Sequence, residues 1–221
     1  MHIMPFLEGV DVVLTDPPFD EKTHQGAHKD SININFNPLG SIPLLVEALL
    51  EVSSKWVLCF CSFEMLGGYS EAAGNSWIRS GVWDKIINMP QITGDRPAQG
   101  GEAIAIMHPT GRKVWFGGGK AAIWRHMVER GKKQHPTQKP LRLMQELMHL
   151  FTKQDDVILD PFMGSASTLV ACAKMGRKGI GIELDEDYFN IACKRVEEAY
   201  KQPDMFVEQP KAISKQEDLL T

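Results

Sequence analysis

The stretch Asp156-Val-Ile-Leu-Asp160-Pro-Phe-Met-Gly164-Ser-Ala-Ser-Thr168 decides the fold class of this 221-residue chain. Its apolar start predicts a buried strand that ends at Asp160, a glycine-containing turn follows, and the residues from Ser167 onward have the composition of a helix. A second predicted strand, Lys178 to Leu184, completes a βαβ unit. Such units build open α/β sheets, in which ligands bind beyond the carboxyl ends of the strands.

The acid at the carboxyl end of the second predicted strand indicates a nucleoside site. Glu183 follows Gly164 by 19 residues, which is the spacing at which a βαβ nucleotide site places an acid against ribose hydroxyls. The turn lacks the further glycines of a dinucleotide fingerprint, and the Asp160 carboxylate would repel phosphate but accept a hydrogen bond from an amino-acid ammonium group. This chemistry favours S-adenosylmethionine over NAD. An ordinary βαβ crossover with a surface acid is the alternative.

A second motif, Asp16-Pro17-Pro18-Phe19, follows the apolar run from Val12 to Leu14. The two prolines fix the backbone and donate no hydrogen bond, so the motif presents acceptors. The Asp16 carboxylate and the Pro17 carbonyl can both accept from one planar amino group, while Phe19 offers a face for a flat ring. A nucleobase amine fits this arrangement. Taken alone, the motif also fits a strand that ends in a proline-rich turn.

Three motifs, in this order, resemble those of the β class of DNA amino-methyltransferases. They are Thr15 to Phe19, the hexapeptide His135 to Pro140, and Asp160 to Ser165 followed by Gly181-Ile-Glu183. The resemblance extends from about Asp11 to Val196. It implies a Rossmann-like, S-adenosylmethionine-dependent methyltransferase fold of the α/β class, with a doubly wound, mainly parallel sheet and the catalytic motif before the cofactor motif.

The resemblance also implies roles for individual residues. Asp16 and Pro17 would hold the target amine and Phe19 would stack on a flipped base, with Pro18 completing the catalytic motif. The implied cofactor-binding residues are Asp160, Phe162, Gly164, Ser165, Glu183, His135, Thr137 and Lys139. An aspartate at the first position favours the N6 amine of adenine over the N4 amine of cytosine, where serine is more frequent. Ala166 departs from the family pattern, which usually has a second glycine there.

The charge distribution indicates a nucleic-acid partner. The chain has a net charge of −4, yet residues 110–142 contain nine basic side chains and one acidic side chain, a net charge of +8 that leaves −12 for the remainder. Trp115, Phe116 and Trp124 are interleaved with these charges, a pattern suited to DNA contact, although a solvated charged face is the alternative. The predicted DNA-binding residues are Arg96, Arg112, Lys113, Lys120, Arg125, Arg130, Lys132 and Lys133.

The cysteines and histidines argue against two other chemistries. Methylation at cytosine C5 needs a nucleophilic thiolate, but Cys59, Cys61, Cys172 and Cys193 all lie in predicted strands or helices, where buried, inert thiols are expected. The seven histidines form no metal-binding pattern. We therefore expect no metal site. We also expect no membrane span, and an intracellular, cytoplasmic protein encoded by a bacterium or phage. A homodimer is left open.

The remaining elements predict one domain over residues 1–201, followed by a mobile tail over residues 202–221. The domain divides into a catalytic half (1–109), a basic DNA-contact segment (110–134) and a cofactor-binding half (135–201). An antiparallel hairpin is expected at one sheet edge. The other predicted elements are helix Ile42–Glu51, strand Trp56–Cys61, a weak helix Ser62–Ser80, hairpin strands Val82–Met89 and Glu102–Met107, and helix Leu141–Phe151. The functional alternatives are a cytosine-N4 or non-DNA amino-methyltransferase and a catalytically silent binding protein.

Overall fold

The computed structural model of the chain describes residues 7–18, 41–86, 93–129 and 138–201. In these ranges the strands are β1 (Val12–Thr15), β2 (Val57–Cys61), β3 (Trp77–Asp84), β4 (Gly101–Met107), β5 (Ile123–Arg125), β6 (Val157–Asp160) and β7 (Lys178–Gly181). The helices are α1 (Ile42–Val52), α2 (Leu66–Ala73), α3 (Leu141–Phe151), α4 (Ser167–Lys174) and α5 (Glu186–Lys201). The predicted tail lies outside the described residues.

The seven strands form one sheet in the order β5-β3-β4-β2-β1-β6-β7. Strand β4 is antiparallel to both of its neighbours, β2 and β3, whereas all other described pairs are parallel. This topology confirms the predicted α/β class, with a mainly parallel sheet and an antiparallel hairpin. The short strand β5, which was not predicted, pairs with β3 and extends the sheet beyond the hairpin.

One predicted element is wrong. The weak helix expected over Ser62–Ser80 ends at Ala73, and strand β3 begins at Trp77. Gly74, with a φ of +50°, ends the helix in a conformation that glycine adopts without steric cost. The residues that follow pair with β4 along its whole length, so cross-strand pairing outweighs a weak local helix preference. Strand β3 ends at Asp84, before the predicted end at Met89, which lies outside the described residues.

Apolar side chains cover both faces of the sheet because successive residues of a strand point to opposite sides. Val12 and Leu14 of β1 belong to the cluster that α3 covers with Leu143, Met144 and Leu147. Val13, between them, belongs to the cluster that α1 covers with Leu45, Val46 and Leu49. Helices on both faces make the sheet doubly wound, and they leave its two ends free for ligands.

The described residues of the predicted catalytic and cofactor motifs lie at one end of the sheet, which we call the carboxyl edge. Strands β1, β2, β6 and β7 end there, and β3 ends there at Asp84 because it runs parallel to β2. Strand β4 runs the other way, so its first residues, Gly101 and Glu102, also lie at this edge. The opposite end is the amino edge. None of the described helices is both long enough and apolar enough to cross a membrane.

Candidate active site

Asp16 follows β1 directly and lies at the carboxyl edge. Its Oδ2 atom forms an ion pair with Lys139 Nζ. Its Oδ1 atom is buried and has no hydrogen-bond donor among the described residues. Pro17 is buried and Pro18 is half-buried, whereas Phe19 lies outside the described residues. The site therefore presents a buried carboxylate oxygen that still lacks a donor.

Four side chains of alternating charge follow one another from this carboxylate, and we call them the charge chain: Asp16, Lys139, Glu102 and Lys85. Lys139 Nζ lies 3.1 Å from Glu102 Oε2, and Lys85 Nζ lies 2.7 Å from Glu102 Oε1. Lys139 is buried and lies over the Phe60 ring, 5.0 Å from its centroid. The charge chain joins four segments of the fold: Lys139 precedes α3, Asp16 follows β1, Lys85 follows β3, and Glu102 lies at the start of β4.

Burial and charge act in opposite directions along the charge chain. Burial raises the pKa of Asp16, and the Lys139 ammonium offsets only part of that effect. For Glu102, burial would raise the pKa, but Lys139 and Lys85 outweigh it and lower the pKa. Burial would lower the pKa of Lys139, but the two carboxylates outweigh it and raise the pKa. Lys139 therefore remains charged although it is buried.

Asp160 is the last residue of β6, the strand beside β1. Its Oδ1 accepts hydrogen bonds from Thr15 Oγ1 at 2.7 Å and from the Phe162 amide at 3.2 Å, and its Oδ2 accepts from Thr168 Oγ1 at 2.6 Å. Burial raises the pKa of Asp160 to about 6, against the lowering effect of these hydrogen bonds. The Thr15 bond ties the end of β1 to the turn that follows β6.

The turn after β6 brings Gly164 and Glu183 together, as their spacing predicted. The Gly164 amide donates to Glu183 Oε2 at 2.9 Å, and the amides of Leu184 and Asp185 donate to Oε1 at 2.8 and 2.9 Å. Gly164 has a φ of +49°, a left-handed conformation that a glycine accommodates readily. The hydrogen bonds hold the Glu183 carboxylate in one orientation beside the turn.

Two further features of the turn were not predicted from the sequence. Ala166 has a left-handed backbone (φ +61°, ψ +40°) immediately before α4, which costs a residue with a Cβ about 1–2 kcal/mol. The family's usual glycine would avoid this cost. Arg195 of α5 donates a hydrogen bond to the carbonyl of Ser165. Helix α5, which follows β7, therefore also supports the turn.

The acids around the turn fit S-adenosylmethionine. That molecule has a cationic amino-acid end and a ribose with two hydroxyl groups, which need hydrogen-bond acceptors. Asp160 and Glu183 supply carboxylates at the ends of adjacent strands, and no phosphate-binding run of glycines is present in the turn. The chemistry of these acceptors therefore matches the predicted cofactor.

The structure separates residues that the sequence grouped as DNA-binding. Arg125 lies at the carboxyl edge, where its Nε is 3.1 Å from Asp84 Oδ2, and Arg96 lies in an exposed loop beside Asp95. Lys120 pairs with Glu146 of α3. Arg112 and Lys113 lie beside the amino edge. The carbonyl of the adjacent Val114 accepts a hydrogen bond at 2.7 Å from Nε1 of Trp56, the residue that precedes β2.

Other predicted residues fall in the core or outside the description. Trp124 does not face DNA: it is 1% exposed and packs against Gly81 of β3, where there is no side chain to exclude it. The residues outside the described ranges are Arg130, Lys132, Lys133, His135 and Thr137. Their predicted roles stay predictions. Lys139 was predicted to bind the cofactor, and this stays a prediction; among the described residues it forms ion pairs with Asp16 and Glu102.

The cysteines differ in exposure. Cys59, Cys61 and Cys172 are buried, and burial raises the pKa of the Cys61 and Cys172 thiols to about 12. Cys193 is exposed, so the prediction that all four are buried is wrong for this residue, which lies on the outer side of α5. In the described ranges no three His, Cys, Asp or Glu side chains are grouped to hold a metal ion.

Comparison with known proteins agrees with this geometry. A family model described as DNA methylase, covering the N6 and N4 methyltransferases, matches residues 10–194. The chain belongs to the N6/N4 DNA methylase family. This membership confirms the resemblance inferred from the three motifs. The family uses S-adenosylmethionine, the cofactor that the turn after β6 fits.

Individual members of the N6/N4 family show how far the likeness extends. The chain is 24% identical to the type II methyltransferase M.HpaI of Haemophilus parainfluenzae over 86% of its own length and 69% of that protein. It is 46% identical to the type II methyltransferase M2.DpnII of Streptococcus pneumoniae, over 32% of this chain and 26% of that protein. The crystal structure of an M1.HpyAVI–SAM complex matches with a TM-score of 0.70 and 25% identity, covering 88% of this chain and 94% of that chain.

Proposed function

We propose that this protein transfers a methyl group from S-adenosylmethionine to the N6 amine of adenine at specific sites in DNA. The observation that carries the proposal is the buried Oδ1 of Asp16, which lacks a donor among the described residues and lies at the same edge as the Asp160–Glu183 turn. A buried acceptor without a partner costs about 1–3 kcal/mol, and a substrate amine would remove that cost.

The chemistry of an exocyclic amine explains why acceptors are needed. The nitrogen lends its lone pair to the aromatic ring, so it is a poor nucleophile while it is planar. Two acceptors, Asp16 Oδ1 and the Pro17 carbonyl, would draw its two protons toward them and favour tetrahedral geometry, which frees the lone pair. S-adenosylmethionine would supply the electrophilic methyl group, whose bond to sulfur would break as the bond to nitrogen forms, so that the sulfonium would leave as a neutral thioether. The methylated nitrogen then releases one proton, for which the Asp16 carboxylate is the adjacent acceptor.

The base must leave the duplex before the amine can reach Asp16. Flipping a base costs a few kcal/mol of unpairing and unstacking, and an aromatic side chain such as Phe19 would recover part of it by stacking. Because Asp16 lies at the carboxyl edge, DNA must approach this edge. We therefore assign phosphate contact to Arg125 and to the basic residues that follow it in sequence, Arg130, Lys132 and Lys133. Arg112 and Lys113, at the amino edge, are left out of this interface.

The identity of the first motif residue favours adenine. Labelled S-adenosylmethionine is incubated with the protein and unmodified DNA, which is then digested to nucleosides and separated by chromatography. We expect the label in N6-methyl-2′-deoxyadenosine. Label in N4-methyl-2′-deoxycytidine would contradict the base assignment, and cofactor binding without labelled DNA would identify a silent relative.

The role of Asp16 has its own test. Asp16→Ala removes the acceptor, and we expect the single-turnover rate of methyl transfer to fall about 10²–10³-fold, the usual effect of removing one hydrogen-bonding group that acts on the transition state. Affinity for S-adenosylmethionine should change little, since Asp16 lies outside the Gly164–Glu183 turn. Asp155→Ala, at an exposed position, is the control. Full methylation by Asp16→Ala would refute the mechanism.

A further inference from the structure

We propose that Lys139 is a positioning residue for Asp16: it holds one oxygen of the carboxylate so that the other remains an acceptor for the target amine. The inference rests on the proposed function, in which Asp16 accepts from that amine. It gives Lys139 a place in the catalytic half of the site, whereas the sequence motif placed it in the cofactor half.

The position of the Lys139 side chain is fixed from several directions. Its ammonium lies between the carboxylates of Asp16 and Glu102 and beside the Phe60 ring. Only 6% of the residue is exposed. Glu102 is fixed in turn by Lys85, at 2.7 Å. An ammonium group with two ion-pair partners and an aromatic wall has little freedom to move away from Asp16.

The backbone around Lys139 is fixed as well. Glu129 Oε1 accepts from the Leu141 amide at 2.7 Å, and Glu129 Oε2 accepts from Gln138 Nε2 at 2.9 Å. One carboxylate thus holds the residues on both sides of the Lys139-Pro140 dipeptide. Pro140 adds a restricted φ, here −60°. Lys139 therefore enters the site from a rigid segment at the start of α3.

The surroundings of Asp16 explain why a cation is needed there. The neighbouring carboxylates Glu102 and Asp160 and the burial of the site all favour the protonated form of Asp16. The other titratable groups that interact with Asp16 are the neutral thiols Cys59 and Cys61, the neutral phenol Tyr69, and Lys85 beyond Glu102. Among the described residues, Lys139 is the cation in direct contact with the carboxylate.

The protonation of Asp16 decides which way its hydrogen bonds run. An ionised carboxylate only accepts hydrogen bonds, whereas a protonated carboxyl group has an O–H donor. A donor facing the target amine would compete for the nitrogen lone pair that the reaction needs. Lys139 prevents this by favouring the ionised form and by occupying Oδ2, so that the remaining oxygen faces the base as an acceptor.

The test compares three variants of the full-length protein. Lys139→Met removes the charge while keeping a chain of similar length, Lys139→Arg keeps the charge, and Lys55→Met is the matched control. Lys55 also bridges two carboxylates, Asp11 at 2.9 Å and Asp156 at 2.5 Å, but at the amino edge. Removing it therefore disrupts a similar ion-pair cluster far from Asp16.

The first measurement is the pKa of the Asp16 carboxyl in the free protein. Isotope-edited infrared spectroscopy monitors the carboxyl band during a pH titration, and the band is assigned to Asp16 because Asp16→Asn lacks it. We expect Lys139→Met to shift the protonation equilibrium at least tenfold toward the acid, Lys139→Arg to restore it, and Lys55→Met to leave it unchanged. An unshifted Asp16 in folded Lys139→Met would overturn the proposal.

The second measurement is the single-turnover rate of methyl transfer to DNA between pH 6 and 9. In Lys139→Met we expect at least a tenfold loss at pH 7 that diminishes as pH rises, because Asp16 must lose its proton to act. S-adenosylmethionine affinity should stay within twofold of wild type. A tenfold loss of that affinity with a wild-type pH profile would place Lys139 in the cofactor site instead.

Two safeguards keep the outcomes distinct. If Lys139→Met does not fold, Glu102→Gln/Lys139→Met removes the opposing carboxylate together with the ammonium, and Asp16 in it should still be protonated more readily than in Glu102→Gln alone. If the wild-type protein methylates no DNA but Lys139→Met still raises the pKa of Asp16, the proposed function fails, whereas the electrostatic link between Lys139 and Asp16 stands.

Discussion

Replacing Asp160 with asparagine should stabilise the folded protein more at high pH than at low pH. The pKa of Asp160 is about 6 in the folded protein, against 3.8 for an unperturbed aspartate. The folded state therefore holds this proton more tightly than the unfolded state does. The stability that the protonated form contributes is complete below about pH 3.8 and is lost as pH rises through about 6.

The magnitude follows from these two pKa values. Ionisation of Asp160 lowers the free energy of unfolding by about 2 kcal/mol at pH 5 and by about 3 kcal/mol at pH 8, relative to the protonated form. Asparagine does not titrate. Its carbonyl oxygen can keep the hydrogen bonds from Thr15 and Phe162, and the Thr168 hydroxyl can turn to accept from its amide nitrogen. The stability difference between variant and wild type should thus widen by about 1 kcal/mol between pH 5 and pH 8.

Urea unfolding followed by tryptophan fluorescence at pH 5, 6, 7 and 8 measures this difference. Asp155→Asn removes an exposed carboxylate just before the same strand and provides the baseline for a simple change of charge. If the curves of Asp160→Asn and wild type stay parallel over this pH range, burial of the Asp160 charge does not limit stability. The predicted cofactor role adds a second readout: Asp160→Asn should bind S-adenosylmethionine more weakly while being more stable.

Two further predictions concern the core and the thiols. Gly81→Ala should lower the free energy of unfolding by about 1–3 kcal/mol, because its Cβ would lie 2.7 Å from Trp124 Cζ3 and 3.1 Å from Ile106 Cδ1; Gly119→Ala, with open space around the new Cβ, is the control in the same urea titration. In the native protein a thiol reagent should modify Cys193 alone, with all four cysteines reacting in urea, and the alkylated protein should still methylate DNA; loss of activity would indicate a thiol mechanism.

The turn after β6, which brings Gly164 and Glu183 together, was predictable because the sequence features that indicate it are local. An apolar run, a glycine and an acid 19 residues later fall within one βαβ unit, where chain geometry alone decides which residues meet. Helix Leu141–Phe151 was predicted to the residue for the same reason: a repeating apolar pattern follows a proline, and Phe151 ends the run before a polar turn.

The charge chain was not predictable because its members meet only through long-range pairing. Lys85 and Glu102 become neighbours when β4 reverses between β2 and β3, and no local pattern reports that register. The local sequence offered one indication of the charge chain, which was the position of Glu102 at the start of a predicted apolar strand. Trp124 shows the opposite error: its basic neighbours indicated a surface position, whereas Gly81 on the adjacent strand makes room to bury it.

The hydrogen bond between Thr15 and Asp160 joins residues 145 positions apart in sequence, and this separation has a consequence for biosynthesis. Strand β1 is synthesised well before its neighbour β6. Contacts between such distant segments form late and slow the folding of a domain. We therefore expect a nascent chain to contain Asp16 long before the Gly164–Glu183 turn can fold beside it, and the Thr15–Asp160 hydrogen bond to form only after β6 has been synthesised.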